Sequence, residues 1–336
     1  MPQAASHPLA CRSCRTLGVM TTTVRDLESK IRDRINLRRK QHQLLGRSAD
    51  WNQLCSALNV VGDTELGLDS YLAHEPVSDI GVRYLLVYGA LQLLQTQQDA
   101  VMSICAALQI RPVASPKVSL VRELRSSSIG HPTRQQENNR SKSNFIVRAT
   151  LSQSGFTLFT VTASEWSRAE QTVNIPKLIE IQRNALAKTL AEVISTLDAT
   201  EMKHREQHKG KKLASCFPDT LGYYFSNIFD AIHSPDDYPL GKTHVGYVSE
   251  CLSCMKSMLQ EREEWGINES IEYEHKLLEY PLERLATFFT DRTASGLDSK
   301  DAFIYTDFVQ HRIERLRQIA GEVDANYEAT PDDGTS

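Results

Sequence analysis

The sequence predicts a mainly α-helical protein: a helical bundle interrupted by one β-hairpin, followed by a helical C-terminal region. Apolar residues recur at spacings of three and four over most of the 336 residues, as in helices that bury one face. Only residues 144–162 alternate apolar and polar side chains, on either side of the sequence Ser152-Gln153-Ser154-Gly155. That pattern is typical of two strands joined by a turn.

The composition narrows the class of protein. With 40% hydrophobic and 24% charged residues, the chain can bury one large core or two ordinary ones. No apolar run reaches the roughly 18 residues of a membrane span, and residues 1–20 lack a hydrophobic signal segment. We therefore expect a cytoplasmic protein that does not contact a membrane. The net charge of -4 argues that any contact with nucleic acid is local.

The first predicted helix runs from Thr23 to Leu45. Thr23 and Asp26 have the spacing of a capping box, which marks the start of a helix. Residues 1–19 and 329–336 are predicted to be disordered tails, with Met20 as an alternative start. The inward positions are Val24, Leu27, Ile31, Ile35 and Leu44. The outer positions are basic, which suits either a nucleic-acid backbone or, more commonly, solvent: Arg25, Lys30, Arg32, Arg34, Arg38, Arg39 and Lys40.

A short helix at 51–60, an irregular stretch to Ser78 and a long helix over Ile80–Leu108 are predicted next. The long helix has a stripe of positions that we expect in the core: Leu85, Tyr88, Leu91, Leu94, Gln98, Val101 and Cys105. Asp99 interrupts this element. It either lies on the solvent face or orients a catalytic group elsewhere in the bundle.

Arg125 and His131 form the most informative pair in the chain, because they lie where a predicted helix ends. Ser115 and Pro116 mark the start of that helix, and Gly130 lies at its end. Arginine can hold a phosphate through two hydrogen bonds, and histidine, with a reference pKa of about 6.5, can exchange a proton near neutral pH. Cleavage of RNA through its own 2′-hydroxyl needs these two functions and no metal.

The motif and its surroundings resemble the HEPN superfamily, whose signature is Arg, four to six residues, then His at the end of a late bundle helix. The resemblance rests on Arg125 and His131 with five residues between them, on the segment Ile129-Gly130-His131-Pro132-Thr133 and on the long apolar helix upstream at 83–101. It is clearest over residues 78–133, extends loosely over 24–198, and points to a bacterial group within or beside that superfamily.

The resemblance implies an RNA-directed, metal-independent endoribonuclease of a defence or toxin–antitoxin type system, with the site built across a homodimer. Arg125 and His131 would be catalytic. Ser126 stands where family nucleases often carry Asn, Asp or His, and we expect it, with Asp99, to support the site. Because many relatives only bind or dimerise, the alternative is a non-enzymatic interaction or regulatory protein with a protein partner.

Residues 133–143 are uniformly polar and predict a mobile loop beside the site. Three basic residues in it, Arg134, Arg140 and Lys142, are candidate RNA-binding residues. The hairpin at 144–162 would form a wall of the site, with Trp166 packed beneath it.

Asn174 and Pro176 begin a second long helix, predicted to end near 198. A basic linker follows at 201–215. Within it, His204 and His208 have the one-turn spacing of metal ligands, although a charged helix end is more often solvated. The bundle would span 20–200 and the C-terminal region 214–328, unless they form one assembly. The C-terminal helices are predicted at 220–233, 243–265, 270–280, 282–291 and 298–326.

The cysteines give a weak indication of metal binding. Two Cys-x-x-Cys pairs, Cys11/Cys14 and Cys251/Cys254, could supply four thiolates, but more than 230 residues separate them. Cys251 and Cys254 fall in an amphipathic helix, where reduced cysteine packs as a small hydrophobic side chain. We therefore predict structural thiols and no metal. No cofactor is predicted, because the chain has no Gly-rich phosphate loop and no dinucleotide fingerprint.

Overall fold

The computed structural model describes residues 22–112, 115–130, 135–137, 140–162 and 167–328. The described part is mainly helical, as predicted, but it contains a four-stranded antiparallel sheet where only one hairpin was predicted. In chain order the elements are α1 (Val24–Ile35), α2 (Arg38–Leu45), α3 (Ser48–Ala73), α4 (Ile80–Ala107), α5 (Pro116–Arg125), β1 (Gln135–Glu137), β2 (Arg140–Ile146), β3 (Gly155–Thr162), β4 (Ser167–Asn174), α6 (Ile175–His208), α7 (Leu221–His233), α8 (Tyr238–Glu261), α9 (Glu269–Phe288), α10 (Arg292–Ser295) and α11 (Ser299–Glu328).

The chain divides into two compact units, neither of which is one continuous stretch. The first unit contains the described residues of Met1–Ile31 together with Gln53–Glu192. The second contains Arg32–Asn52 and the described residues of Val193–Ser336. No helix in the described part of the chain is long and apolar enough to cross a membrane.

The core of the first unit forms around α4. Leu91 and Leu94 on this helix are fully buried and share a cluster with Val121 of α5, Phe156 of β3 and Ile179 of α6. The start of α1 is fixed by the predicted capping box, since Asp26 N–H donates to Thr23 Oγ1 (3.1 Å) and Thr23 N–H donates to Asp26 Oδ2 (2.9 Å).

The sheet has the strand order β1-β2-β3-β4, with every neighbouring pair antiparallel. The predicted hairpin is confirmed as β2 and β3, which pair with Phe145 opposite Phe159. Gly155 is required at its turn, because a Cβ there would lie 2.0 Å from the carbonyl oxygen of Val173. The prediction of a loop at 133–143 was wrong for the described residues in this range. They form β1 and the start of β2, which pair with each other through their main chains.

The second unit has its own helical core. Its buried members come from α7, α8, α9 and α11 and include Phe225, Val248, Leu278, Phe288 and Ile313. Two of its aromatic side chains lie at the surface: Tyr273 is 62% and Phe303 47% exposed.

Several predicted helix boundaries were wrong, and each error has a physical reason. The helix predicted over 23–45 is two helices, because Leu37 has an extended backbone (ψ 128°). The stretch predicted as irregular belongs to α3 as far as Ala73, and only residues 74–78 are irregular. Gly67 does not break this helix and allows close packing against Leu93. The helices predicted at 270–280 and 282–291 are one helix, α9, which continues through the buried Pro281.

Two further errors concern the second long helix and the core stripe. Helix α6 continues to His208, so the predicted linker at 201–215 begins as helix. On α4, five members of the predicted stripe are buried, but Leu85 is 73% and Tyr88 40% exposed. Their face of α4 points away from the core of the unit.

Candidate functional site

The predicted site lies at the end of α5, where the helix widens into a single π-helical turn over Ser126–Gly130. Ser128 is buried in this turn, and its hydroxyl donates to the carbonyl oxygen of Leu124 at 2.6 Å. Gly130, where the predicted helix ends, is the last residue of this turn and is not among the described residues with positive φ. Single π turns are rare and frequently occur at functional sites.

The side chain of Arg125 folds back over this turn. Its Nη2 donates to Gln92 Oε1 on α4 at 2.7 Å, and its Nη1 lies 2.7 Å from where a Cβ on Gly130 would stand. Its Nε is buried without an acceptor, and no carboxylate of the described residues pairs with it. The guanidinium is therefore fixed against the residue that precedes His131, while His131 itself lies outside the described residues.

Asp99 contacts a different arginine. It accepts from Arg122 Nη2 at 2.5 Å and from Gln95 Nε2 at 3.0 Å, and its side chain is 55% exposed. Arg122 also donates to Gln98 at 3.3 Å. The structure therefore brings Asp99 to α5 one turn before Arg125 and gives it an ion-pair partner there.

The other predicted site residues are distributed around the π turn. Ser126 is its first residue and is half-buried. Strand β2 packs beside the turn and contains Arg140 and half-buried Lys142. Lys142 lies opposite Gln135 on β1 and opposite Thr162 on β3. Arg134 and Trp166 lie outside the described residues. The sheet is thus a neighbour of the turn, as the predicted wall requires.

A buried polar network in the same unit was missed by the sequence analysis. Gln182 of α6 is fully buried, accepts from Gln98 Nε2 at 2.6 Å and donates to Gln97 Oε1 at 2.8 Å. Gln97 in turn donates to Glu65 of α3 at 2.6 Å, and Arg183 pairs with Glu65 at 2.9 Å. Apolar periodicity alone does not reveal such a network, although Gln98 within the α4 stripe was a visible signal.

The two histidines with metal-ligand spacing lie in the second unit and were wrongly predicted to be solvated. His208 is 9% exposed, and His204 Nε2 bonds the carbonyl oxygen of Arg262 at 3.0 Å. Burial lowers the pKa of both imidazoles, with further lowering by Arg39 at His204 and by Arg262 at His208. No group of three potential ligands that could hold a metal occurs among the described residues.

The prediction of reduced thiols was wrong for Cys254. It forms a disulfide with Cys216, with Cα atoms 5.7 Å apart. Cys251, one turn earlier on α8, is a buried free thiol whose pKa is raised by burial. Helix periodicity could not reveal the bond, because its partner lies 38 residues away in the sequence. Cys11 and Cys14 lie outside the described residues.

Comparison of the chain with models of protein families, with curated proteins and with solved structures gives no match.

Proposed function

We propose that this chain is an RNA-directed, metal-independent endoribonuclease of the HEPN type, in which Arg125 holds the scissile phosphate and His131 moves a proton. The observation that carries the proposal is the state of Arg125. Its Nη2 donates to Gln92 Oε1 at 2.7 Å, and this neutral amide orients the guanidinium without cancelling its charge. No carboxylate of the described residues pairs with Arg125.

A comparison with Arg122, three residues earlier on the same helix, supports this role. Arg122 is neutralised by Asp99 at 2.5 Å, so its charge is already used within the protein. Arg125 keeps its charge for an external anion, since a neutral hydrogen-bond partner orients a guanidinium but does not compensate it. Its contact with Gly130 places that charge next to the backbone of the residue before His131.

The chemistry requires only these two side chains and the substrate. His131 accepts the proton of a ribose 2′-hydroxyl, and the 2′-oxygen then bonds to the adjacent phosphorus. Arg125 stabilises the negative charge on the phosphate oxygens as the bond from phosphorus to the 5′-oxygen breaks. The products are a 2′,3′-cyclic phosphate and, once the leaving oxygen takes up a proton, a 5′-hydroxyl end.

Self-association is part of the proposal. One exposed face of α4 carries Val82, Leu85 and Tyr88 at intervals of three residues and reaches Gln92 four residues later. Exposed apolar side chains that follow one helix face favour contact with another protein surface. In a two-fold dimer through this face, each Gln92–Arg125 pair lies near the symmetry axis.

The same face also favours the second candidate function, a non-enzymatic interaction protein. A leucine that is 73% exposed beside a tyrosine that is 40% exposed suits a regulatory protein partner as well as a second copy. In this alternative, Arg125 binds an acidic side chain of the partner. The two candidates differ in one measurable property, which is turnover of RNA.

The test is cleavage of a set of single-stranded RNAs by purified protein in the presence of a chelator. We expect fragments with cyclic-phosphate ends. Both Arg125→Ala and His131→Ala should lower the rate by at least about a hundredfold, because each removes an interaction made in the transition state.

The matched control is Arg122→Ala, which removes an arginine from the same helix but one that is already paired with Asp99. It should leave the rate within a few-fold of wild type. Cleavage that persists in both Arg125→Ala and His131→Ala would refute the assigned site. No cleavage of any RNA by a folded, self-associated wild-type protein would favour the interaction protein.

A further inference from the structure

The second unit contains a cavity of about 530 Å³, which is large enough for a small organic molecule. Helices α2, α9 and α11 form much of its wall. Three arginines line it (Arg38, Arg39 and Arg315), as do three glutamates (Glu264, Glu274 and Glu322). Four apolar side chains complete one part of the lining: Ile267, Ile271, Ile319 and Val323.

Two of these six charges are neutralised within the protein. Arg39 pairs with Glu201 at 2.5 Å. Both carboxylate oxygens of Glu274 accept from Arg312 Nη1, at 2.9 and 3.2 Å. Such pairs contribute little net charge to a neighbouring cavity.

The two remaining arginines keep their charge. Arg38 Nη1 donates to the neutral amide oxygen of Asn268 at 3.0 Å, and exposed Arg315 has no acidic partner among the described residues. Because Asn268 contacts Arg38, its side chain does not cap α9, which begins in the wall of the cavity. Among the acidic side chains of the lining, Glu322 alone is exposed to solvent and has no ion-pair partner among the described residues.

The inner wall of the cavity holds a carboxyl group in an unusual state. Glu264 Oε1 accepts from the Tyr327 hydroxyl at 2.7 Å, while Glu264 Oε2 is buried with no donor among the described residues. Burial raises the pKa of Glu264, which favours the protonated form.

We propose that this cavity binds a small organic anion, with a phosphate or carboxylate group at Arg38 and Arg315 and an apolar body against the isoleucines of α9 and α11. Two charged donors without acidic partners match an oxyanion. Because part of the lining is apolar, we expect an organic anion to bind more tightly than an inorganic ion. The site is formed by residues of the second unit alone and is independent of Arg125.

The experiment is calorimetric titration of the full chain with inorganic phosphate, phenyl phosphate and benzoate. We expect saturable binding of at least one of the two aromatic anions, tighter than inorganic phosphate. The preference between phenyl phosphate and benzoate then identifies the head group. Arg315→Gln and Arg38→Gln should each weaken that binding about tenfold or more, as expected for loss of a charge-assisted hydrogen bond.

The matched control is Arg317→Gln on the same helix, because Arg317 pairs with Asp219 and does not line the cavity. The affinity of this variant for the aromatic anion should equal that of wild type. The comparison distinguishes loss of a local contact from a change in overall charge. Circular dichroism melts verify that each variant is folded, and exposed Arg315 is the decisive one should Arg38→Gln be unstable. No saturable binding of any probe, or binding unchanged in Arg315→Gln, would overturn the proposal.

Discussion

The main buried polar clusters of the two units differ in charge. In the first unit, Gln97, Gln98 and Gln182 form a network of neutral amides in which every buried side-chain nitrogen and oxygen has a described partner. In the second unit, the fully buried Arg262 pairs with Asp324 at 2.9 Å, but its Nε and Nη1 have no described acceptor. Unpartnered buried atoms of Glu264, His204 and His208 belong to the same region.

The difference indicates different roles for the two clusters. A satisfied network of amides carries no net charge, so it specifies how α3, α4 and α6 pack at a modest cost in desolvation. Buried ions pay a larger desolvation penalty, and unsatisfied ones add to it. Titratable groups with shifted pKa values tend to occur near functional sites, which agrees with the cavity beside Glu264 and Tyr327.

The largest expected effect is that of removing one half of the buried ion pair. Asp324 accepts from Arg262 Nη2 and from the backbone amides of Leu213 and Ala214, each at 2.9 Å. Asp324→Ala leaves both backbone amides without an acceptor. The buried guanidinium of Arg262 still donates to the carbonyl oxygen of Lys211 but loses its counter-charge, so the free energy of unfolding should fall by about 3–5 kcal/mol. Urea denaturation measures this.

The control for this variant is Asp219→Ala. Asp219 also pairs with an arginine, Arg317 at 2.8 Å, but its side chain is 99% exposed. Loss of an exposed pair should cost about 0–1 kcal/mol. Similar losses in the two variants would contradict the distinction between buried and exposed pairs.

A smaller effect is expected in the amide network. Gln182→Met keeps the length of the side chain but removes its hydrogen bonds to Gln97, Gln98 and the carbonyl oxygen of Leu94. The unpaired groups left behind should cost about 1–3 kcal/mol in the free energy of unfolding. Exposed Gln53→Met is the control and should stay within about 0.5 kcal/mol of wild type. A neutral Gln182→Met would show that the network does not stabilise the fold.

The smallest effect is a difference in pH dependence. The pKa values of His204 and His208 are lowered in the folded state. Their contribution to stability is therefore complete above about pH 6.5 and is lost as the pH falls through the lowered pKa values. The pKa of Glu264 is raised, so its protonation stabilises the folded state as pH falls. Thermal melts from pH 7 to pH 5 should therefore show a steeper loss of stability in Glu264→Gln than in wild type. His208→Gln should show a shallower loss, and parallel profiles for all three proteins would contradict these assignments.

Periodicity was sufficient to predict the elements that bury one face. It gave α4 and the start of α6, where Asn174 Oδ1 accepts from Lys177 N–H at 2.9 Å as a capping residue. It failed for β1 and β4, because main-chain pairing in a sheet does not require an apolar pattern. It also assigned exposed Leu85 to the core, since spacing alone cannot distinguish a buried face from one that serves another surface.

For the candidate site, the sequence identified Arg125 but not what surrounds it. Gln92, which holds the guanidinium, lies 33 residues earlier, and the Asp99–Arg122 pair spans 23 residues. Contacts over such separations depend on how α4 and α5 pack, and a local motif contains no information about that packing. The roles of Arg134 and His131 stay predictions, because both residues lie outside the described part of the chain.

The discontinuous second unit has a consequence for how the protein is made. Its segment Arg32–Asn52 leaves the ribosome before the whole of Gln53–Glu192, and only then do Val193 and the residues after it follow. At the usual rate of about 5–20 residues per second, the 140 residues of that stretch take roughly 7–28 s. The first unit can therefore complete its fold during translation, whereas the second must fold after nearly the entire chain has been synthesised.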